Sequence, residues 1–196
     1  MRTFTFLIAL SLAPIVGLAD ELPFDRSAIN RYSLDGLPRS ISVRQGADVW
    51  LGYDLERATP CKVWRAPEGK SGLSGGFTVK SAGKALFEDK TDAGWGLLKN
   101  GKASGLKARY LGCTQSNRHF ELRWELMHGE RRLKLQERIS RFAGSDVAVW
   151  RELKVEGLAT GESLQLPTAV GAAWKTAGGR SATALAGSQW IRIVIP

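Results

Sequence analysis

From His119 to Ser140 the chain reads HFELRWELMHGERRLKLQERIS, and apolar and polar side chains alternate at period two on both sides of Gly129 and Glu130. Alternation of this kind marks strands with one buried face. The Gly129–Glu130 step predicts a two-residue type II′ loop, whose first central position takes glycine. Counting outward sets Leu126 across from Leu133, Trp124 from Leu135 and Phe120 from Ile139, while Glu125 meets Lys134 and Glu121 meets Arg138 on the other face. Moving the loop to His128 and Gly129 would set Arg123 against Lys134, a like-charge pairing that is unfavourable across strands. In the favoured register Leu122 faces Glu137, the one ionisable residue on an otherwise apolar face.

A bare buried carboxylate shifts its pKa upward or finds a cation, because an ionised group loses its hydration on burial. VAVWRELKV, from Val147 to Val155, offers the cation: Val147, Val149, Leu153 and Val155 share a face with Arg151 among them. A five-residue connection from Phe142 to Asp146 predicts Ile139 beside Val149 and Glu137 beside Arg151. The pair is expected either to hold strand register on the inner face or to line a ligand cleft. In the second case Glu137 is the candidate general base and Arg151 positions a polar or anionic group.

The same period recurs along the chain. RSISVRQ and DVWLGYDL read as a hairpin joined by Gly46 and Ala47, with Ile41 and Val43 on one face, as are Val49, Leu51, Tyr53 and Leu55. Regular structure is expected to begin after Pro38. Further strands are predicted over Lys62 to Arg65, Phe77 to Lys80, Leu106 to Cys113, Val147 to Val155, Ser163 to Leu166 and Trp190 to Ile195. Between Pro67 and Lys102, GKSGLSGG, DAGWG and KNGK read as short irregular strands with glycine turns, or as a long functional loop. There is no long helical period, repeat or domain-scale linker. Many short strands with glycine turns predict an all-β chain: a single antiparallel β-sandwich over residues 20–196, or a barrel-like closure of it.

Composition changes this picture mainly in where the chain works. MRTFTFLIALSLAPIVGLAD sets Arg2 ahead of an apolar run ending in small residues, the layout of a secretory signal peptide over residues 1–19 with cleavage after Ala19. No other stretch is long and apolar enough to anchor in a bilayer, so no transmembrane segment is expected after cleavage, and the mature chain is expected in the periplasm or secreted. The net charge of +9 suits an anionic polymer or surface, and the compartment argues against nucleic acid. The basic residues nevertheless alternate with aliphatic ones, as on a solvated sheet face. Cys61 and Cys113 are two cysteines in an oxidising compartment, so they either form a disulfide or remain as two free buried thiols.

Seven tryptophans raise the possibility of sugar stacking. Trp124 and Trp190 keep step with apolar neighbours and read as core, Trp50 and Trp150 fall on the opposite parity, and Trp95 lies in the glycine-rich stretch, where it is the candidate ligand-binding tryptophan. His119 and His128 sit at opposite ends of one strand, so no metal site is expected. No GxSxG elbow, GxGxxG turn or phosphate-binding loop is present in the required setting; GKSG at Gly69 lacks the upstream pattern. No cofactor is expected.

INRYSLDGLPRSISVRQGADVWLGYDLERATPCKVWRA, from Ile29 to Ala66, combines Arg31 before an aromatic, the SISV strand, Asp54 ahead of Cys61, and Trp64. With KARYLGC, the hairpin carrying Glu137 and the RELKVEGL strand carrying Arg151, it resembles the exported domain found in large bacterial proteins beside c-type cytochrome and sugar-dehydrogenase-like propeller domains. The resemblance runs from about Ile29 to Leu158 and implies a β-rich module associated with redox or carbohydrate-processing partners. It supplies no catalytic residues, and Cys113 stands where that pattern commonly has an aromatic. The chain is therefore expected to be a non-catalytic module that binds a glycan or docks to a c-type cytochrome or dehydrogenase partner. The alternative is a carbohydrate-active enzyme of mutarotase-like or lyase-like type, using Glu137.

Overall fold

The computed structural model describes residues 21–22, 29–76, 78–142, 149–167, 175–176, 181–187 and 191–195. The signal-peptide segment, Phe77, Val147, the connection through Asp146, Trp174, Trp190 and the side chain of Trp150 lie outside the described residues. Among the described residues the chain is all-β, built from several antiparallel sheets with no helix and no closed barrel.

One sheet runs β2 (Ile29–Asn30), β3 (Ser40–Arg44), β4 (Val49–Asp54), β5 (Thr59–Arg65) and β8 (Lys84–Glu88) in that spatial order. The largest runs β11 (Lys107–Gln115), β12 (His119–His128), β13 (Arg131–Phe142), β14 (Val149–Glu156), β18 (Ile191–Ile195) and β16 (Lys175–Thr176), with β1 (Glu21–Leu22) paired to the end of β13. A smaller sheet orders β10 (Lys102–Gly105), β9 (Gly96–Lys99), β15 (Glu162–Gln165) and β17 (Ala184–Leu185), and β6 (Leu73–Ser74) pairs with β7 (Lys80–Ser81).

The β12–β13 hairpin has the register that counting predicts at every position. Gly129 takes a φ of +57° while Glu130 stays at negative φ, as a type II′ loop requires. The resulting inward row of Phe120, Leu122, Trp124, Leu126, Leu133, Leu135 and Ile139 is fully buried. It packs against Ile41, Val43, Leu51, Tyr53 and Val63 from the facing sheet, so the architecture is sandwich-like. Trp124 Nε1 donates to the Leu55 carbonyl at 3.1 Å, which stitches the two layers together just past the end of β4.

Two turns show where regular structure begins earlier, or is more regular, than expected. Before Pro38, Asp35 and Gly36 both take positive φ and fold Leu34 back onto Leu37, following the short strand β2. Asn100 and Gly101 do the same between β9 and β10, in the two-residue turn that Asn-Gly favours. The stretch from Pro67 to Lys102 thus resolves into short strands, apart from Phe77.

Its glycine-rich part covers a second, smaller core on the outer face of the five-stranded sheet. Leu34, Trp50, Trp64 and Ala66 are buried there, with Trp50 and Trp64 stacked at 6.0 Å between ring centroids. Trp64 Nε1 donates to the Gly72 carbonyl at 2.6 Å. A Cβ on Gly72 would lie 2.2 Å from the Trp50 ring, so only glycine lets the backbone close over it. The opposite parity of Trp50 therefore has a packing explanation.

Candidate functional site

The inward faces of three strands converge on one polar cluster. Glu137 from β13 is 0% exposed, Arg151 from β14 is 1% exposed and Tyr53 from β4 is 0% exposed. Arg151 Nε donates to Glu137 Oε1, and its Nη2 donates to Oε2 at 2.6 Å. The Tyr53 hydroxyl donates to Glu137 Oε1, and the Arg151 guanidinium lies over the Tyr53 ring, 5.9 Å from its centroid. Both carboxylate oxygens are occupied by donors that come with the fold, which is how a buried charge becomes tolerable.

The pair expected from sequence forms, but in a different register. Glu137 is opposite Leu153, and Arg151 is opposite Ile139, two residues away from the predicted alignment. The last residues of β13, Arg141 and Phe142, pair with β1, and the expected five-residue connection lies outside the described residues. Parity is preserved by a shift of two, so both side chains still point inward. A diagonal neighbour on an antiparallel pair, ~7–8 Å away between Cα atoms, is within reach of side chains as long as these.

Tyr53 is the member that sequence reasoning did not connect. Its place on the inward face of β4 was legible, and a buried tyrosine hydroxyl needs a partner. That the partner lies 84 residues along the chain in the facing sheet is a tertiary fact. Burial, followed by the charge of Glu137, holds the Tyr53 hydroxyl well above its ordinary pKa, so it remains a donor. Burial alone would lower the pKa of Arg151, but the charge of Glu137 and the contact with Tyr53 more than offset it and keep the guanidinium charged.

This arrangement suits a structural role better than chemistry. A general base needs a free lone pair and a route for substrate, and Glu137 has neither solvent contact nor an unused oxygen. Glu137 lines neither of two surface clefts formed among the described residues. One, of about 370 Å³, lies between Gly105, Lys107, Met127, His128 and Arg132. The other, of about 200 Å³, lies between Arg39, Leu55, Glu56, Ala108, Arg109 and Tyr110.

Other expected site residues are placed differently from the expectation. Trp95 is 3% exposed and donates from Nε1 to the Ala58 carbonyl at 3.1 Å, so it offers no face to a sugar. Its flanking residues are tied by Arg57, which bonds Asp54 and Asp89 and reaches the Thr91 carbonyl, and this network converts a glycine-rich loop into packed structure. Cys61 and Cys113 are free thiols rather than a disulfide. Cys61 packs with the small outer core and Cys113 with the main core, so the five-stranded sheet separates them. Burial pushes the Cys61 thiol up to about 12, leaving it protonated and inert.

His119 and His128 sit at the two ends of β12, and no group of three or more metal-ligating side chains occurs among the described residues. No protein-family model, curated protein or solved structure matches this chain. Among the described residues no helix is long and apolar enough to cross a membrane.

A further ion pair with a buried carboxylate was not anticipated. Glu162 is buried at the start of β15 and accepts from Arg131 at 2.8 and 2.9 Å and from the Ala159 backbone N–H at 2.9 Å. The Arg131 hydrogen bonds, then the backbone bond, hold its carboxyl at about 2 against an ordinary 4.5. Arg131 immediately follows the hairpin turn, so this contact fastens the end of the large sheet to the small one.

Proposed function

We propose that this chain is an exported, non-catalytic β-sandwich module that works by docking to a protein partner. The observation that carries the reading is the sealing of Glu137, the one inward-facing carboxylate the sequence offered as a base, beneath Arg151 and Tyr53. Export rests on the N-terminal charge and apolar pattern. The resemblance along residues 29–158 makes a c-type cytochrome or a sugar-dehydrogenase-like protein the partner class to test first.

Docking to protein has more support than glycan binding. Trp50, Trp64, Trp95 and Trp124 are all buried, whereas among the described residues the exposed large apolar side chains are Tyr32 and Leu111, at 59% and 51% exposure. Arginines on the outer face of the large sheet are laced to acids, Arg109 to Glu125 at 2.8 Å and Arg138 to Glu152 among them. Such a face resembles a solvated sheet surface more than a free anion site.

The test is an oligosaccharide panel containing neutral and uronic-acid substrates, incubated with the full chain and analysed for products and for bound sugar. No turnover and no retention are expected. Product formation that disappears in a folded Glu137→Gln variant would overturn the proposal and restore the enzyme reading.

A further inference from the structure

We propose that the free edge of β11 is a strand-addition site for an extended acidic segment of a partner protein. This rests on the docking reading above and specifies its surface. Among the described residues β11 has a sheet partner, β12, on one side only. It is nine residues long, whereas the other sheet-edge strands, β2, β8, β10, β16 and β17, have five or fewer. An edge of that length presents a row of unpaired N–H and C=O groups, which can bind another chain through its main chain.

The side chains define what that chain must look like. A strand laid beside β11 sends alternate residues to opposite faces of the sheet. On the inner side they meet the cleft of about 200 Å³ between β11 and the rim of the facing sheet, where Leu55, Ala108 and Tyr110 supply apolar wall. On the outer side they meet Lys107, the half-exposed Leu111 and Arg109, whose guanidinium also bridges to Glu125 at 2.8 Å. Arg31 adds a further positive charge near the far end, its Nη2 lying 3.7 Å from Cys113 Sγ. Apolar residues alternating with Asp or Glu are thus the complement, in both shape and charge.

The same features disfavour a second copy of this chain as occupant. Pairing is broken between Tyr110 and Gly112 by a bulge, where Gly112 takes a φ of +136°. Bulges and edge lysines or arginines are the usual devices against edge-to-edge self-association. Two such edges would bring their basic residues together, whereas an acidic strand would gain from them.

The test uses the full chain, isotopically labelled, with three synthetic nonapeptides: alternating Val and Glu, alternating Val and Lys, and a scrambled Val/Glu sequence with no alternation. Only the alternating acidic peptide is expected to bind, with amide shifts and exchange protection concentrated along residues 107–115. Lys107→Glu, at an exposed position, is expected to weaken it about fivefold or more with an unchanged melting temperature. Equal binding of all three peptides, binding away from β11, or no binding would overturn the inference. So would a concentration-dependent dimer protected at 107–115 without peptide. None of these outcomes involves turnover, so this inference can fail while the non-catalytic reading stands, and turnover can defeat that reading independently.

Discussion

The five-stranded sheet has a core on each face, and the two are stabilised by opposite means. On the inner face Tyr53 and Leu51 look into a large core whose centre is an ion pair with a phenol bonded to it. On the outer face Trp50 and Trp64 stack under a strap that closes only because Gly72 has no side chain. The first core tolerates charge because each polar atom of Glu137 has a donor; the second is held by shape. Burial by itself therefore does not say what a position will accept. The neighbours already committed to it do.

The comparison breaks most visibly at Glu137. Glu137→Gln leaves a buried guanidinium without a counter-charge, and a loss of about 3–5 kcal/mol is expected in urea unfolding. Replacing the cluster together, by Tyr53→Phe, Glu137→Leu and Arg151→Met, removes both charges and the hydroxyl bonded to them. That variant is expected to match the native chain or exceed its stability by ~1–4 kcal/mol. A triple variant as unstable as Glu137→Gln would show that the cluster does more than compensate its own burial.

In the outer core the corresponding test adds volume. Gly72→Ala drives a methyl into the Trp50 ring, and about 1–3 kcal/mol is expected to be lost, with altered tryptophan fluorescence. Tolerance of alanine there would mean that the strap is looser than the stacked pair suggests.

A smaller effect separates a sealed ion pair from one at the margin. Glu162 has a folded-state pKa depressed to about 2 from an ordinary 4.5. Its contribution is therefore complete above about 4.5 and is lost as the pH falls toward about 2. Unfolding curves across that window are expected to show this slope in the native chain and a shallower one in Glu162→Gln. An unchanged slope would assign the acid sensitivity to other carboxylates.

Much of this was legible where the information is local. The β12–β13 register followed from a two-residue turn and the avoidance of like charges, and the match is complete along both strands. Glu137 and Arg151 followed from parity, which survives a register error of two. Asn100–Gly101, within KNGK, carried a glycine-turn signal, and the turn forms with both residues at positive φ between two short paired strands. What sequence did not supply were contacts between sheets. Tyr53 reaching Glu137, Trp95 under Ala58, Glu162 on Arg131 and the separation of the two cysteines all depend on how layers face each other. The glycines of GKSGLSGG could not be told from a loop until Trp50 was seen beneath one of them.

The 84 residues between Tyr53 and Glu137 also bear on the order of assembly. β11, β12 and β13 are joined by short turns, and contacts local in sequence form with little loop-closure entropy. Such a meander would carry Glu137 on its inner face before the sheet bearing Tyr53 has docked. On the undocked hairpin that carboxylate is hydrated, and collapse into a wrong layer would bury it without a partner, so the same residue that anchors the finished sandwich opposes misdocking beforehand. Stopped-flow measurements should then find Tyr53→Phe accelerating unfolding while leaving the folding rate nearly unchanged, and a slowed folding limb instead would place the docking of the two sheets at the rate-limiting step.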